Sequence, residues 1–581
     1  MCGIAGAFRI DRAPDLNDLI DPSAMASAIA PRGPDASGSY ADEHVAFYHA
    51  RLAILDLDPR SNQPFHTERY VLCYNGEIFN FRSVRDELKA LNVSFATSGD
   101  TEVLARAIET WGVKGALPRL AGMFAFAVYD RQTGDCWLVR DRLGIKPLYY
   151  VQHNGSVCFA SWPAALLRGV RKDWRLDRAA LRDFFLLGAC WDDRHFVEGI
   201  RDIPAGCMMH VAEGNVSIER YWEPSLDATE FDPTAFHELF EQVAIEHTVS
   251  DVPMALLLSG GVDSSALAAA MRGTNTHYFH LRSEEEQYAR TVADAVGKPL
   301  AVFSIEGTED AEQWLSLLVE RTGNTFAAAP QPMAAGEAVA RAEHKVLLSA
   351  NGADELFFGY PRTPTGLGDI SERLPFYERV GASSFEEQVS HLFRYAESVR
   401  VPEVEDLNST SLQEELLARL EEGFPAGGHR AEASLRLVEL RTYVQADLNV
   451  TLDHATMCYG VEARVPFLDH RLVEYALTLP ASNLVDYEVG RKAPLKRYLD
   501  QAGLPSEIWE RPKRGFALSR EAFVRAKRKR MRALRMLMDE GYLDYSPRGG
   551  NVLRDYAYVL NAAQAFAAWK AYWIDGGHVR A

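Results

Sequence analysis

The sequence predicts an α/β chain in two parts: packed antiparallel sheets first, then a parallel sheet rich in helices. Three observations lead there. The chain has 581 residues, too many for one hydrophobic core. Up to about residue 220 it reads as short strands broken by turns. Beyond that, helical patterns alternate with short apolar strands, and such alternation implies a parallel sheet covered by helices.

In the first part, strands are expected over 45–50, 70–74, 123–129, 136–140 and 157–160. Many hold β-branched or aromatic residues and end in Gly, Asp or Asn. Helices are expected over 81–90 and 102–111. The steps Asn154-Gly155 and Glu213-Gly214-Asn215 have the composition of hairpin turns. A polar stretch at 223–233 marks a linker, which divides the chain into 1–215, a connection over 216–235, and 236–581. In the second part, helical spacing of apolar residues recurs over 236–247, 291–296, 333–342, 434–445 and 562–573. Short apolar strands fall at 255–258 and 345–349. There is no internal repeat. The basic run 525–532 reads as a solvated helix face, with an anionic partner as the alternative.

Composition removes several function classes. Apolar content of 47% and charged content of 25% are ordinary for globular proteins. A net charge of −19 argues against nucleic acid or an anionic membrane as partner. No apolar run reaches transmembrane length, and the first residues lack a signal-peptide pattern. The cysteines, at 2, 73, 136, 158, 190, 207 and 458, form no CxxC pair. That excludes a disulfide framework or zinc site and points to a reduced, cytoplasmic protein.

Cys2 is the first chemical signal. Removal of Met1 would leave one residue holding both a thiol and an α-amino group. A thiolate is the attacking species, and an α-amino group titrating near ~8 can take the thiol proton.

The second signal is a phosphate loop. An apolar strand at 254–258 runs into Ser259-Gly260-Gly261-Val262-Asp263-Ser264-Ser265, and helix continues over 266–271. A strand, a glycine turn and a helix N-terminus present backbone N–H groups to an anion. No Lys follows the glycines, so this is not the loop type that cradles β- and γ-phosphates. A second acidic turn, Ala350-Asn351-Gly352-Ala353-Asp354-Glu355, follows the strand at 345–349. Ligands sit at the carboxyl ends of parallel strands, so both turns should face one crevice, where Asp263 and Asp354 could share Mg²⁺. The alternative for Asp354 is an N-cap of a helix over 356–360.

With these motifs in place, the chain resembles glutamine-dependent asparagine synthetases of the bacterial B type over essentially its whole length. MCGIAG, RGPD at 32–35, RLAILD at 51–56, NGEIFN at 75–80, SGDTE at 98–102, LAGMFAFAVYD at 120–130 and RDRLGIKPLYY at 140–150 match a class II glutamine amidotransferase domain. SGGVDSS, GADELF at 352–357, GVEARVPFLDHRLVE at 460–474 and RKAPLK at 491–496 match the synthetase domain. The resemblance implies an αββα sandwich of the N-terminal-nucleophile type followed by an ATP-pyrophosphatase domain. It implies that Cys2 attacks the glutamine amide, with Asn75 and Gly76 as oxyanion donors. Arg51 and Asp100 would hold the substrate's α-carboxylate and α-ammonium, and Ile54 and Glu77 would line the site. ATP would meet Leu257, Ser259, Gly260, Gly261, Asp263, Ser264, Ser265, Ser349, Ala350 and Lys492. Lys492 would neutralise the transferring phosphate, with Lys496 as its rival and an exposed helix lysine as the bland alternative. Asn351 and Glu355 fall in the acceptor crevice. The reaction implied makes an acyl-adenylate, releases pyrophosphate, and uses ammonia led through an internal tunnel to displace AMP. Partners would be small molecules, with a homodimer as the candidate assembly.

The chain departs from the family pattern at Pro31, Trp162, Pro163 and Ala164, Ala350 and Asn351, Phe358, and His454. Asparagine from aspartate is the default product. The rivals are amidation of another carboxylate, intramolecular amide closure, and a scaffold that does not turn over.

Overall fold

The strand Gly3–Arg9 shows how the first half is layered. Ile4 and Phe8 enter a core shared by two sheets, while Ala5 and Ala7 face helices outside. Successive side chains of a strand point to opposite faces. Both faces are buried here, so no polar alternation marks the strand. The structure is a computed structural model and describes residues 2–10, 15–187, 189–190, 193–212, 214–305, 308–359, 399–400, 428–486, 489–511, 520–545 and 552–581.

The first sheet runs, edge to edge, Arg201–Asp202, Tyr149–His153, Ser156–Ala160, Gly3–Arg9, Val45–Arg51 and Ala36–Ala41, all antiparallel. The second runs Asn215–Arg220, Cys207–Ala212, Cys136–Arg140, Gly122–Asp130, Tyr70–Ile78 and Phe65–His66, also antiparallel. Helices Pro22–Ile29, Pro163–Gly169 and Arg178–Leu187 cover the first sheet, and Phe81–Ala90 and Asp100–Ala116 cover the second. The first half is therefore an αββα sandwich.

Two boundaries differ from expectation. The strand expected to stop at residue 74 continues to Ile78, pairing Asn75, Gly76 and Glu77 with Ala125, Phe124 and Met123. Asn-Gly has turn composition, but here the glycine serves a close approach: a Cβ at Gly76 would lie 2.2 Å from the Met123 carbonyl oxygen. The linker expected from residue 216 begins after Arg220, because Asn215–Arg220 pairs along Cys207–Ala212. Its exposed, polar edge gave it the look of a connection. The next helix opens at Pro233, capped by Asp232.

The second half holds a five-stranded parallel sheet in the order Leu300–Phe303, Thr276–Leu281, Met254–Leu257, Val346–Leu348 and Glu462–Arg464. The chain grows outward to one side of Met254–Leu257, then returns to its other side. That reversal is a switch point, where a crevice opens between neighbouring loops. The helix after the glycine turn starts at Val262, four residues earlier than expected. Asp354 is no N-cap: it lies inside the short helix Ala353–Leu356, which Gly352 caps at φ 93°. The helix expected over 434–445 is α-helical over Gly428–Glu439, then π-helical over Leu440–Asn449. In the basic run, Arg530 is buried and bonds Gln564, and Lys529 pairs with Glu312 at 2.8 Å, so that part of the face is not simply solvated. Residues 525–528 have side chains outside the described set, as does Tyr360.

The two halves share cores. Leu52, Ile54, Met123 and Ile145 of the first half pack in one cluster with Val444, Ala463 and Val465 of the second. The carboxy-terminal helices Arg520–Asp539 and Val552–Trp573 pack on the helices outside the first sheet. Among the described residues no helix is long and apolar enough to cross a membrane.

Trp569 is buried in that shared core and donates to the Gly323 carbonyl at 2.9 Å. Trp569→Ala should cost about 3–5 kcal/mol and speed amide hydrogen exchange in the amino-terminal strand Gly3–Arg9 as well as in its own helix. Exchange by mass spectrometry that stays unchanged in the strand would show that the halves are stabilised separately.

Candidate active sites

The Cys2 backbone N–H donates to Asn75 Oδ1 at 3.0 Å. That bond orients the amide, and Asn75 Nδ2 is left fully buried without a hydrogen-bond partner among the described residues. A buried donor in this state calls for an acceptor that the free protein does not supply. Burial pushes the Cys2 thiol up, and the amino-terminal charge, a Leu52 backbone N–H and Arg51 offset this only in part. The thiol is therefore protonated at rest and needs a base to react.

Arg51, Ile54, Glu77 and Asp100, also expected at the glutamine site, are all buried. Asp100 accepts from Tyr74 Oη at 2.7 Å and from the Ile78 N–H at 3.0 Å. Arg51 donates to the Asp58 carbonyl at 3.0 Å, to Asn62 Oδ1 at 2.7 Å, and to the Asp56 carbonyl, so it ties down the 55–62 loop. Ile54 is buried, and its carbonyl accepts from the Asp251 N–H of the second half at 2.9 Å. Glu77 is enclosed, and burial with the nearby Asp100 and Glu462 holds its carboxyl well above the usual range.

A seam of buried charge runs from this site into the second half. Arg32 Nε donates to the Cys2 carbonyl at 3.0 Å, and its guanidinium meets Asp453 at 2.8 and 3.3 Å. Lys146 Nζ donates to the Ala463 carbonyl at 3.0 Å. Arg464 contacts Glu462 at 2.5 Å and Glu77 at 3.5 Å. Burial opposes ionisation of Glu462, yet the amino-terminal charge, Arg464 and Lys146 hold it down to about 2. Burial pulls Lys146 down to about 8. Sequence reasoning quoted the motifs that hold Arg32, Lys146, Glu462 and Arg464 but gave none of them a role. A signal existed for Glu462 and Arg464, two charges inside the otherwise apolar string 460–468.

At the switch point, the phosphate loop is pre-shaped by its own serines. Ser264 Oγ accepts from the Ser259 N–H at 3.1 Å, and Ser259 Oγ accepts from the Gly261 N–H at 3.3 Å. Gly260 has φ 78°, and a Cβ there would lie 2.5 Å from Ala289 N. Ser265 Oγ is buried and unpartnered among the described residues, while Leu257 ends the strand below. Asp263 and Asp354, from the first turns of the helices that follow the two strands, converge on one point: Lys492 Nζ lies 2.6 Å from both Asp263 carboxylate oxygens and 2.5 Å from Asp354 Oδ1. The structure thus brings together the two expected metal ligands and the expected phosphate lysine. Lys496 is not with them; its ammonium donates to the Val489 carbonyl.

The second loop begins where the Ser349 N–H donates to the Arg464 carbonyl at 2.9 Å. Ser349 Oγ then donates to Asn351 Oδ1 at 2.9 Å, with Ala350 between them. Glu355 is enclosed at 1% exposure. Phe358 is buried as well. It keeps a left-handed backbone, φ 50°, and its buried ring lies 5.3 Å from the Arg436 guanidinium.

Comparison with known proteins fits these two sites. Residues 1–222 match the family model described as a glutamine amidotransferase domain, and residues 235–573 match that described as asparagine synthase. A Mycobacterium tuberculosis protein, provisionally named a glutamine-hydrolysing asparagine synthetase, is 30% identical over 555 residues, covering 85% of this chain and 83% of its own. Glutamine-hydrolysing asparagine synthetase 3 of Bacillus subtilis is 28% identical, covering 88% of this chain and 86% of its own. Amidase chry2 of Gibberella zeae is 27% identical, covering 81% and 80%. With a family match across more than half its length, the chain belongs to the asparagine synthase family, with an amino-terminal glutamine amidotransferase domain.

Proposed function

We propose that Cys2 releases ammonia from glutamine and that the phosphate loop activates a carboxylate with ATP to receive it. The observation that carries this reading is the unpartnered Asn75 Nδ2 held beside Cys2. The thiol attacks the amide carbon and gives its proton to the α-amino group exposed by loss of Met1. The developing oxyanion is met by Asn75 Nδ2 and the Gly76 N–H, a type of donor worth about 10²–10³ in rate each. The proton leaves with ammonia, and water then cleaves the thioester to glutamate. Arg51 and Asp100 hold the two ends of the amino acid, and Ile54 and Glu77 complete the wall.

In the second half, a carboxylate oxygen attacks the α-phosphorus and pyrophosphate leaves. Ammonia attacks the acyl-adenylate and AMP leaves. Ser259, Gly260, Gly261, Ser264, Ser265, Ser349 and Ala350 would cradle the nucleotide, and Lys492 would offset charge on the transferring group. Two carboxylates aimed at one point, with phosphate oxygens to complete the set, suit Mg²⁺. Asp263 and Asp354 would hold it, and bound there it supplies charge neutralisation to the phosphates.

The acceptor can be narrowed. Asn351 stands where the family has an acid, and its oxygen already accepts from Ser349. Its amide cannot ionise, so it brings no charge to pair with an ammonium group and takes no proton. This favours a carboxylate other than free aspartate. The family name alone does not decide, since one similar protein is named an amidase.

Cys2→Ala should abolish glutamine hydrolysis and leave ATP-dependent amidation with ammonium salts intact; loss of both activities in the folded variant would refute the division of labour. Turnover should release AMP and pyrophosphate in equal amounts, and a stoichiometric yield of ADP and phosphate would remove the acyl-adenylate. A kcat/KM for aspartate of about 10⁴ M⁻¹s⁻¹ or more would restore plain asparagine synthesis; the expectation is a weaker value, with better turnover of another acid.

A further inference from the structure

Lys492 is held in a way that its role on phosphate does not require. Its backbone is left-handed, φ 59° and ψ 36°, at the cap of the helix Ala493–Gln501. A non-glycine residue is strained there and persists only when its surroundings hold it. The side chain is almost fully enclosed, and its ammonium reaches three oxygens: both of Asp263 and Oδ1 of Asp354. An ammonium has three N–H donors, and three oxygens meet them. Gly359 leaves the room for this arrangement. A Cβ there would lie 1.9 Å from Asp354 Oδ1 and 2.1 Å from Lys492 Cε. The Gly359 N–H also donates to the Asp354 carbonyl at 2.8 Å, which fixes the glycine against the pair.

We propose that in the nucleotide-free protein the Lys492 ammonium occupies the metal position, so that the site accepts a divalent cation only together with nucleotide. The inference rests on reading Asp263 and Asp354 as the metal ligands. Two carboxylates brought this close repel unless a cation lies between them. Lys492 supplies that cation while the crevice is empty. A metal entering alone would have to displace it and leave an enclosed ammonium unpaired, which is costly. Phosphates change the balance: they give the ammonium a new anionic partner and bring oxygen ligands for the metal. Lys492 then leaves the acids for the phosphate as the metal takes its place. Binding is ordered by one side chain with two alternative partners.

The test is Mn²⁺ binding to the full chain, read by the electron paramagnetic resonance signal of free Mn²⁺, with no acceptor and no turnover. Without nucleotide, Lys492→Met and Lys492→Gln should each bind Mn²⁺ about tenfold or more tighter than the wild type. A non-hydrolysable ATP analogue should raise the affinity of the wild type by more than that of either variant. In Lys492→Met combined with Asp354→Asn, the gain should vanish. Equal Mn²⁺ affinity of wild type and both folded variants, with nucleotide-dependent binding intact in the wild type, overturns the proposal alone. Persistence of the gain without Asp354 overturns it too, by placing the metal elsewhere. Absence of Mn²⁺ binding in the wild type even with nucleotide overturns the underlying reading of the acids as ligands.

Discussion

Arg464 ties three parts of the molecule to one point, and the relation of the two sites depends on it. Its guanidinium reaches Glu462 at 2.5 Å, Glu77 at 3.5 Å, and the His247 and Val249 carbonyls at 2.8 and 2.7 Å. Its main-chain oxygen receives the first N–H of the acceptor loop. Glu77, the end of the helix Pro233–Glu246 and the loop opened by Ser349 therefore share one side chain and its backbone. Arg32 makes the second tie, from the Cys2 carbonyl to Asp453. Removing one partner of such a buried pair costs about 3–5 kcal/mol, while replacing the whole pair by apolar residues can be neutral. The value of these charges lies in register: an apolar seam could slide, whereas bidentate and multi-carbonyl contacts fix one half against the other.

What the sequence disclosed was local. The glycine loop, the two acidic turns and the Cys2 strand are contiguous strings, and each string holds both the backbone geometry and the chemistry it needs. Asn75-Gly76 misled because a turn-like pair sits in mid-strand, where a neighbouring strand demands the missing Cβ. The strand 215–220 was hidden by its exposed edge. Contacts between distant strings could not be seen at all. Pro31, Trp162 and His454 looked like three unrelated departures from the family. In the structure Trp162 lies under the Arg32 guanidinium at 5.0 Å and 6.3 Å from the His454 ring, with Pro31 beside Arg32 in the chain. They form one neighbourhood around the Arg32–Asp453 pair, whose members are 421 positions apart in the chain.

Burial sets the resting charge state of this neighbourhood. It takes His49 and His454 down to about 3, so both rings are neutral. It raises the Cys2 thiol and lowers Lys146. Asp453 is different: Arg32 and Lys146 outweigh its burial and hold its carboxyl below the ordinary range, in the charged form. Charge persists where a pair is geometrically complete, as at Arg32–Asp453, while the enclosed Cys2 thiol is neutral.

The docking of the helix Val552–Trp573 against the amino-terminal layer has a consequence for biosynthesis. The strand that follows Cys2 is made first, yet part of the wall that covers its helices is made last. At about 5–20 residues per second, the ribosome needs roughly half a minute to two minutes to supply it. During that time the outer face of the first sheet, with Leu166, Leu181 and Phe185 behind it, lacks its last cover. The nascent chain must therefore hold its first layer by partial packing, and the strand made first is among the last to find its finished surroundings.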